Sequence, residues 1–188
     1  MRITGGRFGG RILKAPASRA IRPSADRLRE SLFNALIHRP HNPVEGADVV
    51  DLFAGTGALG LEALSRGAAS ALFVDNGVEA RALLRANVEA LGVAGITRIF
   101  RRDATRLGDA PDPGRFALAF LDPPYGRGLA SGALRVLRDG RWLRDGALAI
   151  IEESAEAEVD MPAGFTCEER RVYGDTQVVF AAFTSANM

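Results

Sequence analysis

Four aspartates and one proline pair carry the reactive chemistry available to this chain. Asp122-Pro123-Pro124-Tyr125 directly follows the apolar run 116–121. Two successive prolines fix φ and remove two backbone donors, so the segment is rigid and its carbonyls can only accept. Tyr125 sets a flat ring beside those acceptors. A planar base with an amino group would find acceptors for its hydrogens there and a surface to stack on. Asp51, Asp75 and Asp103 lie at or just past the ends of three other apolar runs. Alone, each reads as a turn or cap residue. Together with Asp122 they predict an acidic crevice, because ligands of open α/β sheets bind outside the carboxyl ends of the strands. Such a crevice suits a cationic ligand rich in hydrogen-bond donors.

The stretch 49–60 organises the rest. It opens as an apolar run, passes a glycine turn and enters the helical pattern Ala58-Leu59-Gly60-Leu61-Glu62-Ala63-Leu64. That order presents backbone N–H groups to a ligand at a helix N-terminus. Gly55, Gly57 and Gly60 fit the dinucleotide fingerprint, and Asp75 lies where a ribose-binding acid is expected. A nicotinamide enzyme would show the same pattern. Asp51 argues for a different ligand. A buried carboxylate there would repel a diphosphate and attract a cation, and S-adenosylmethionine carries both a sulfonium and an ammonium.

The elements that must position these residues alternate. Strands are predicted at 49–53, 71–75, 97–102, 116–121 and 147–152, with helices at 57–65, 78–91 and 129–138. This implies an α/β fold with a mostly parallel sheet covered on both faces. The tail differs: 165–173 and 176–183 flank Gly174-Asp175 and predict an antiparallel hairpin on the sheet edge. Segments 2–4 and 11–14 predict a small, mobile β-hairpin. Arg22-Pro23-Ser24 then starts a helix with the apolar stripe Leu28, Leu32, Phe33, Leu36 and Ile37. The domain reading is a basic arm, 1–40, packed on a body, 41–188.

The net charge is +1, but its distribution is uneven. Residues 1–40 hold nine basic and two acidic side chains, +7, leaving −6 for the remainder. A basic arm on an acidic body points to a nucleic-acid partner, with Arg2, Arg7, Arg11, Lys14 and Arg22 as contacts. One cysteine, Cys167, excludes an internal disulfide. With no signal-peptide pattern, that predicts a reducing cytoplasm. His38 and His41 lack a metal-site pattern. The arm lies apart from the glycine loop in sequence, so its removal is expected to spare the cofactor site.

Asp51 to Gly60, Asp75 and Asp122 to Tyr125, in this order, resemble the class I S-adenosylmethionine-dependent methyltransferases that act on exocyclic amino groups. Arg2-Ile3-Thr4-Gly5-Gly6-Arg7-Phe8-Gly9-Gly10 and Arg22-Pro23-Ser24-Ala25-Asp26-Arg27-Leu28-Arg29-Glu30-Ser31-Leu32-Phe33-Asn34 narrow the match. With them the chain resembles the RsmD family of bacterial 16S ribosomal RNA guanine-N2 methyltransferases, from Met1 to about Phe183. The resemblance implies a Rossmann-like fold and S-adenosylmethionine as cofactor. It implies 16S rRNA, in the small ribosomal subunit or its late precursor, as substrate for a monomer. It places Gly55 and Gly57 along the methionine part of the cofactor, Asp51 near its ammonium, Asp75 on the ribose and Asp103 with Ala104 about the adenine. Phe53, Thr56 and Asn76 complete that set. Asp122, Pro123 and Tyr125 would hold the target guanine, with the ring of Tyr125 doing the work. Asp75 departs from the glutamate common at its position; the shorter acid can still accept two hydroxyls.

Three other readings stay open on residues alone. A nicotinamide oxidoreductase leaves Asp51 and Asp122-Pro123-Pro124-Tyr125 without a role. An adenine-N6 methyltransferase shares the latter motif but lacks room here for a target-recognition domain. A non-catalytic RNA-binding assembly factor would keep the arm, yet nothing in the crevice looks lost.

Overall fold

The computed structural model describes residues 1–16 and 23–185. Arg22, one of the expected RNA contacts, lies outside them. The elements are α1 (Pro23–Ile37), β1 (Asp48–Leu52), α2 (Ala58–Ser65), β2 (Ser70–Val74), α3 (Val78–Leu91), β3 (Thr97–Phe100), β4 (Phe116–Leu121), α4 (Leu129–Asp139), β5 (Leu143–Ser154), β6 (Phe165–Tyr173) and β7 (Thr176–Phe183). They build one seven-stranded sheet in the order β3-β2-β1-β4-β5-β7-β6. The first five strands run parallel, and β7 is antiparallel to both β5 and β6. The fold is therefore α/β, with a mostly parallel sheet and the antiparallel C-terminal hairpin that the sequence predicts.

Burial explains the order. Every residue of β4, Phe-Ala-Leu-Ala-Phe-Leu, is buried, as a central parallel strand with both faces covered must be. On one face Phe33 and Leu36 of α1, Leu61 and Leu64 of α2 and Leu84 of α3 pack on Val49, Phe73 and Phe120. On the other, Ala133, Leu134 and Leu137 of α4 pack with Trp142 on Val50, Ala119 and Ile151. Two boundaries differ from expectation. β3 stops at Phe100, and β5 begins at Leu143, which pairs with Phe116 before a bulge shifts the register.

The arm is not the mobile hairpin its glycines suggest. A single antiparallel bridge joins Arg2 to Ile12, and a 3-10 turn spans Gly6–Phe8. Ile3 and Leu13 are buried in the main core. Glu62, fully buried on α2, binds the arm down. Its Oε2 accepts the Thr4 N–H at 2.8 Å and Arg29 Nε at 3.2 Å. Its Oε1 accepts Thr4 Oγ1, the Gly5 N–H and Arg66 Nε at 2.7–2.9 Å. Ser65 Oγ accepts the Phe8 N–H and donates to the Gly5 carbonyl. Contact is so close that a Cβ on Gly6, at φ +72°, would sit 1.9 Å from the Ser65 carbonyl oxygen. A buried carboxylate with five donors is well satisfied, which is what its removal from water demands.

Candidate active site

Asp51 sits in β1 beneath the start of α2 and is almost wholly buried. Its Oδ2 accepts the Gly60 N–H at 2.9 Å. That contact needs α2 pressed onto the sheet. A Cβ on Gly60 would come 2.4 Å from a Phe73 ring carbon, and one on Gly57, at φ +81°, 2.3 Å from Leu84 Cδ1. Glycine at both positions is therefore a packing requirement. Burial pushes the Asp51 carboxyl from 3.8 up to about 8, and the charge of Asp75 adds to the rise. A buried acid held neutral by its surroundings ionises when a cation comes to lie beside it, and so can become that cation's counter-charge.

Asp75 closes the loop from the other side. Its Oδ2 accepts the Gly55 N–H at 2.8 Å and its Oδ1 the Gly77 N–H at 2.7 Å. It thus joins the glycine turn to the start of α3. An ionised carboxylate has acceptor sites beyond these two. Asn76 beside it is exposed. Phe53, between strand and turn, holds a left-handed φ of 59°, a conformation uncommon for a large side chain. Asp103 Oδ1 accepts both the N–H and the hydroxyl of Thr105, at 2.8 and 2.7 Å, and these bonds hold its carboxyl below the usual range. Ala104 next to it is buried. Along the sheet the acids follow the strand order, as Asp103, Asp75, Asp51 and Asp122 at or just past β3, β2, β1 and β4. Among the described residues no three His, Cys, Asp or Glu groups stand close enough to hold a metal.

Asp122 and Tyr125 are exposed, Pro123 is buried, and the segment is latched to its neighbours. The Tyr125 hydroxyl donates to Glu152 Oε1 at 2.9 Å and lies 3.3 Å from Thr176 Oγ1. The Gly126 N–H donates to Glu153 Oε1 at 3.1 Å. Burial raises the pKa of the phenol above its usual value, and the charges of Glu152 and Asp122 raise it further. Burial likewise raises Glu152, opposed by the Tyr125 hydroxyl and the charge of Arg29. The hydroxyl therefore has structural partners, which corrects the expectation that only the ring matters.

Glu152 and Glu153 were not among the sequence candidates. The signal was present: they close the apolar run 147–151 as the four aspartates close theirs. Glu62, the one charged residue of α2, and Asn87, a buried polar residue among the charged ones of α3, were missed as well. Asn87 matters because its Nδ2 donates to the carbonyls of both Lys14 and Thr56 at 3.0 Å. Thr56 Oγ1 also donates to Met1 Sδ at 3.4 Å. The arm thus touches the glycine loop, and the expectation that it could be removed without disturbing that loop does not stand. Arg2, Arg7, Arg11 and Lys14 all keep exposed side chains on its outer surface.

A family model described as "Conserved hypothetical protein 95" matches residues 1–182. "Ribosomal RNA small subunit methyltransferase D" of Escherichia coli is 38% identical over 93% of this chain and 85% of its own length. The protein of the same name from Haemophilus influenzae is 31% identical, over 93% and 89%. The structure of yhhF from Escherichia coli, described as a methyltransferase, superposes with a TM-score of 0.82 at 34% identity, covering 99% of both chains. An RNA methyltransferase from Salinibacter ruber, solved with S-adenosyl-L-homocysteine, shares the fold with a TM-score of 0.64 at 13% identity, over 86% of this chain and 94% of its own.

Proposed function

From the premise that this chain belongs to the RsmD family, the methyltransferases of small-subunit ribosomal RNA, we propose that it methylates the exocyclic N2 of a guanine in 16S rRNA. The carrying observation is the latched segment 122–126, which fixes a carboxylate, a proline carbonyl and a ring at the end of β4. The chain is built to recognise S-adenosylmethionine rather than a dinucleotide. The supporting fact is Asp51, a buried acid with a backbone donor from Gly60, which an adjacent cation would ionise and a diphosphate would keep protonated. Asp51 would face the ammonium, Asp75 the ribose hydroxyls, and Asp103 and Ala104 the adenine. Phe53, Gly55, Thr56, Gly57 and Asn76 complete the wall. When bound, the cofactor supplies an electrophilic methyl group.

The rest is positioning. The amino nitrogen of guanine is a poor nucleophile, because its lone pair is delocalised into the ring. Asp122 and the Pro123 carbonyl accept its two hydrogens and favour a pyramidal nitrogen. Tyr125 stacks on the extruded base. Alignment of two reactants can supply roughly 7–11 kcal/mol. The nitrogen sheds its extra proton after transfer, so no strong base is required. Arg2, Arg7, Arg11, Lys14 and Arg22 grip rRNA phosphates on the small subunit or its precursor.

Single-turnover transfer to small-subunit particles lacking the modification tests this, with mass spectrometry locating the methyl. Asp122→Ala should slow transfer by about 10²–10³ while cofactor affinity stays near normal. Tyr125→Ala should lose stacking of roughly 1–3 kcal/mol. Tyr125→Phe should lose only about 1 kcal/mol, for the bond to Glu152. Near-normal transfer by folded Asp122→Ala protein would remove that residue from the mechanism.

A further inference from the structure

The ends of β4 and β5 carry two acids side by side. Leu121 pairs with Ile151 across the parallel ladder. Asp122 and Glu152 are the next residues, at the ends of these adjacent strands. Tyr125, three residues after Asp122, donates its hydroxyl to Glu152 Oε1 at 2.9 Å and so ties the end of β4 to the end of β5. Several donors of the segment 122–126 are absent or engaged. Pro123 and Pro124 have no N–H. The Gly126 N–H is given to Glu153 and the Tyr125 hydroxyl to Glu152. A base edge entering beside Tyr125 meets acceptors.

Purines differ in how they answer such an edge. Guanine presents two adjacent donors, N1–H and the amino group. Adenine presents its amino group next to an unprotonated N1. An ionised carboxylate offers about four acceptor positions, of which the tyrosine hydroxyl occupies one on Glu152. Burial raises the Glu152 carboxyl, and the Tyr125 hydroxyl and the charge of Arg29, itself bound to Glu62, Asp26 and the Arg2 carbonyl, work against that rise.

Resting on the methyltransferase reading above, we propose that Glu152 determines base specificity. Its carboxylate accepts the N1–H of the target guanine while Asp122 accepts from the amino group. A base whose ring nitrogen is unprotonated then places a lone pair against a half-buried carboxylate and is rejected. A site built for a hydrogen bond discriminates strongly against a ligand that cannot make it.

2-Aminopurine separates the contributions, because it keeps the 2-amino group of guanine but has no hydrogen on N1. The experiment measures single-turnover transfer to small-subunit particles reconstituted with guanine or 2-aminopurine at the modified position. Wild-type protein should prefer guanine by at least about 100-fold. Glu152→Gln, whose amide can either accept or donate, should slow guanine transfer and shrink that preference by about tenfold or more. Tyr125→Phe, which leaves the carboxylate in place, should keep the preference. A purely structural role for Glu152 would lower both rates together, and an unchanged ratio in Glu152→Gln overturns the proposal alone. Wild-type methylation at N6 of an adenine overturns both the proposal and the reading on which it rests.

Discussion

Asp51→Asn isolates the electrostatics of the cofactor crevice. The asparagine keeps the shape, and its amide oxygen can still accept the Gly60 N–H. Only the titration is lost. Asp51 has an ordinary value of 3.8 and is pushed up to about 8 by burial. Between these limits the native state holds a proton that the unfolded state has released. The unfolding free energy therefore falls as pH rises, by about 1.4 kcal/mol per pH unit from this group. From pH 5 to 7 the loss is about 3 kcal/mol, and above pH 8 it levels off. The Asn variant lacks this slope. Groups remote from Asp51 titrate alike in both proteins and cancel, so the difference between their urea-denaturation curves reports this carboxyl. The variant should gain on the wild type by about 3 kcal/mol between pH 5 and 7. S-adenosylmethionine binding should move oppositely. A cation favours the ionised carboxyl, so binding to wild type at pH 6–7 should release a proton. Calorimetry in two buffers of different ionisation enthalpy reads that release, which the variant should lack. Parallel denaturation curves from pH 5 to 7 would show Asp51 ionised in the native state and refute the reasoning.

Two further outcomes follow from the arm. Glu62→Ala strands Arg29, Arg66 and the amides of Thr4 and Gly5, and should cost about 3–5 kcal/mol in denaturation experiments; a change below about 1 kcal/mol would mean the arm is not held by this carboxylate. Arg7→Ala with Arg11→Ala should reduce the slope of log affinity for small-subunit particles against log salt by about 1.4–1.8 while cofactor affinity holds, and an unchanged slope would return both side chains to solvent.

The sheet and its reactive edge were legible because each depends on local pattern. Apolar runs closed by acids gave β1, β2 and β4 with Asp51, Asp75 and Asp122. What the sequence hid depends on contacts far along the chain. Nothing near Tyr125 predicts that its hydroxyl meets Glu152, because that contact exists only once β5 lies beside β4. The arm misled for a similar reason. Its glycines read as flexibility, whereas Gly6 is needed so that the backbone can lie against α2. Asn87, one of several polar residues in α3, gave no local hint that it would join Lys14 to Thr56.

The placement of β7 between β5 and β6 has a consequence for biosynthesis. Val178, Phe180 and Ala181 are fully buried, so the last strand among the described residues is an interior strand. A nascent chain that has already exposed Asp51, the glycine turn and Asp122 to Tyr125 still has β5 as an open edge, with Thr176 not yet present to approach the tyrosine. Completion of the sheet thus waits until β7 has been made. A chain truncated before β7 would retain the motifs of the crevice while leaving a long apolar edge available for pairing with another chain.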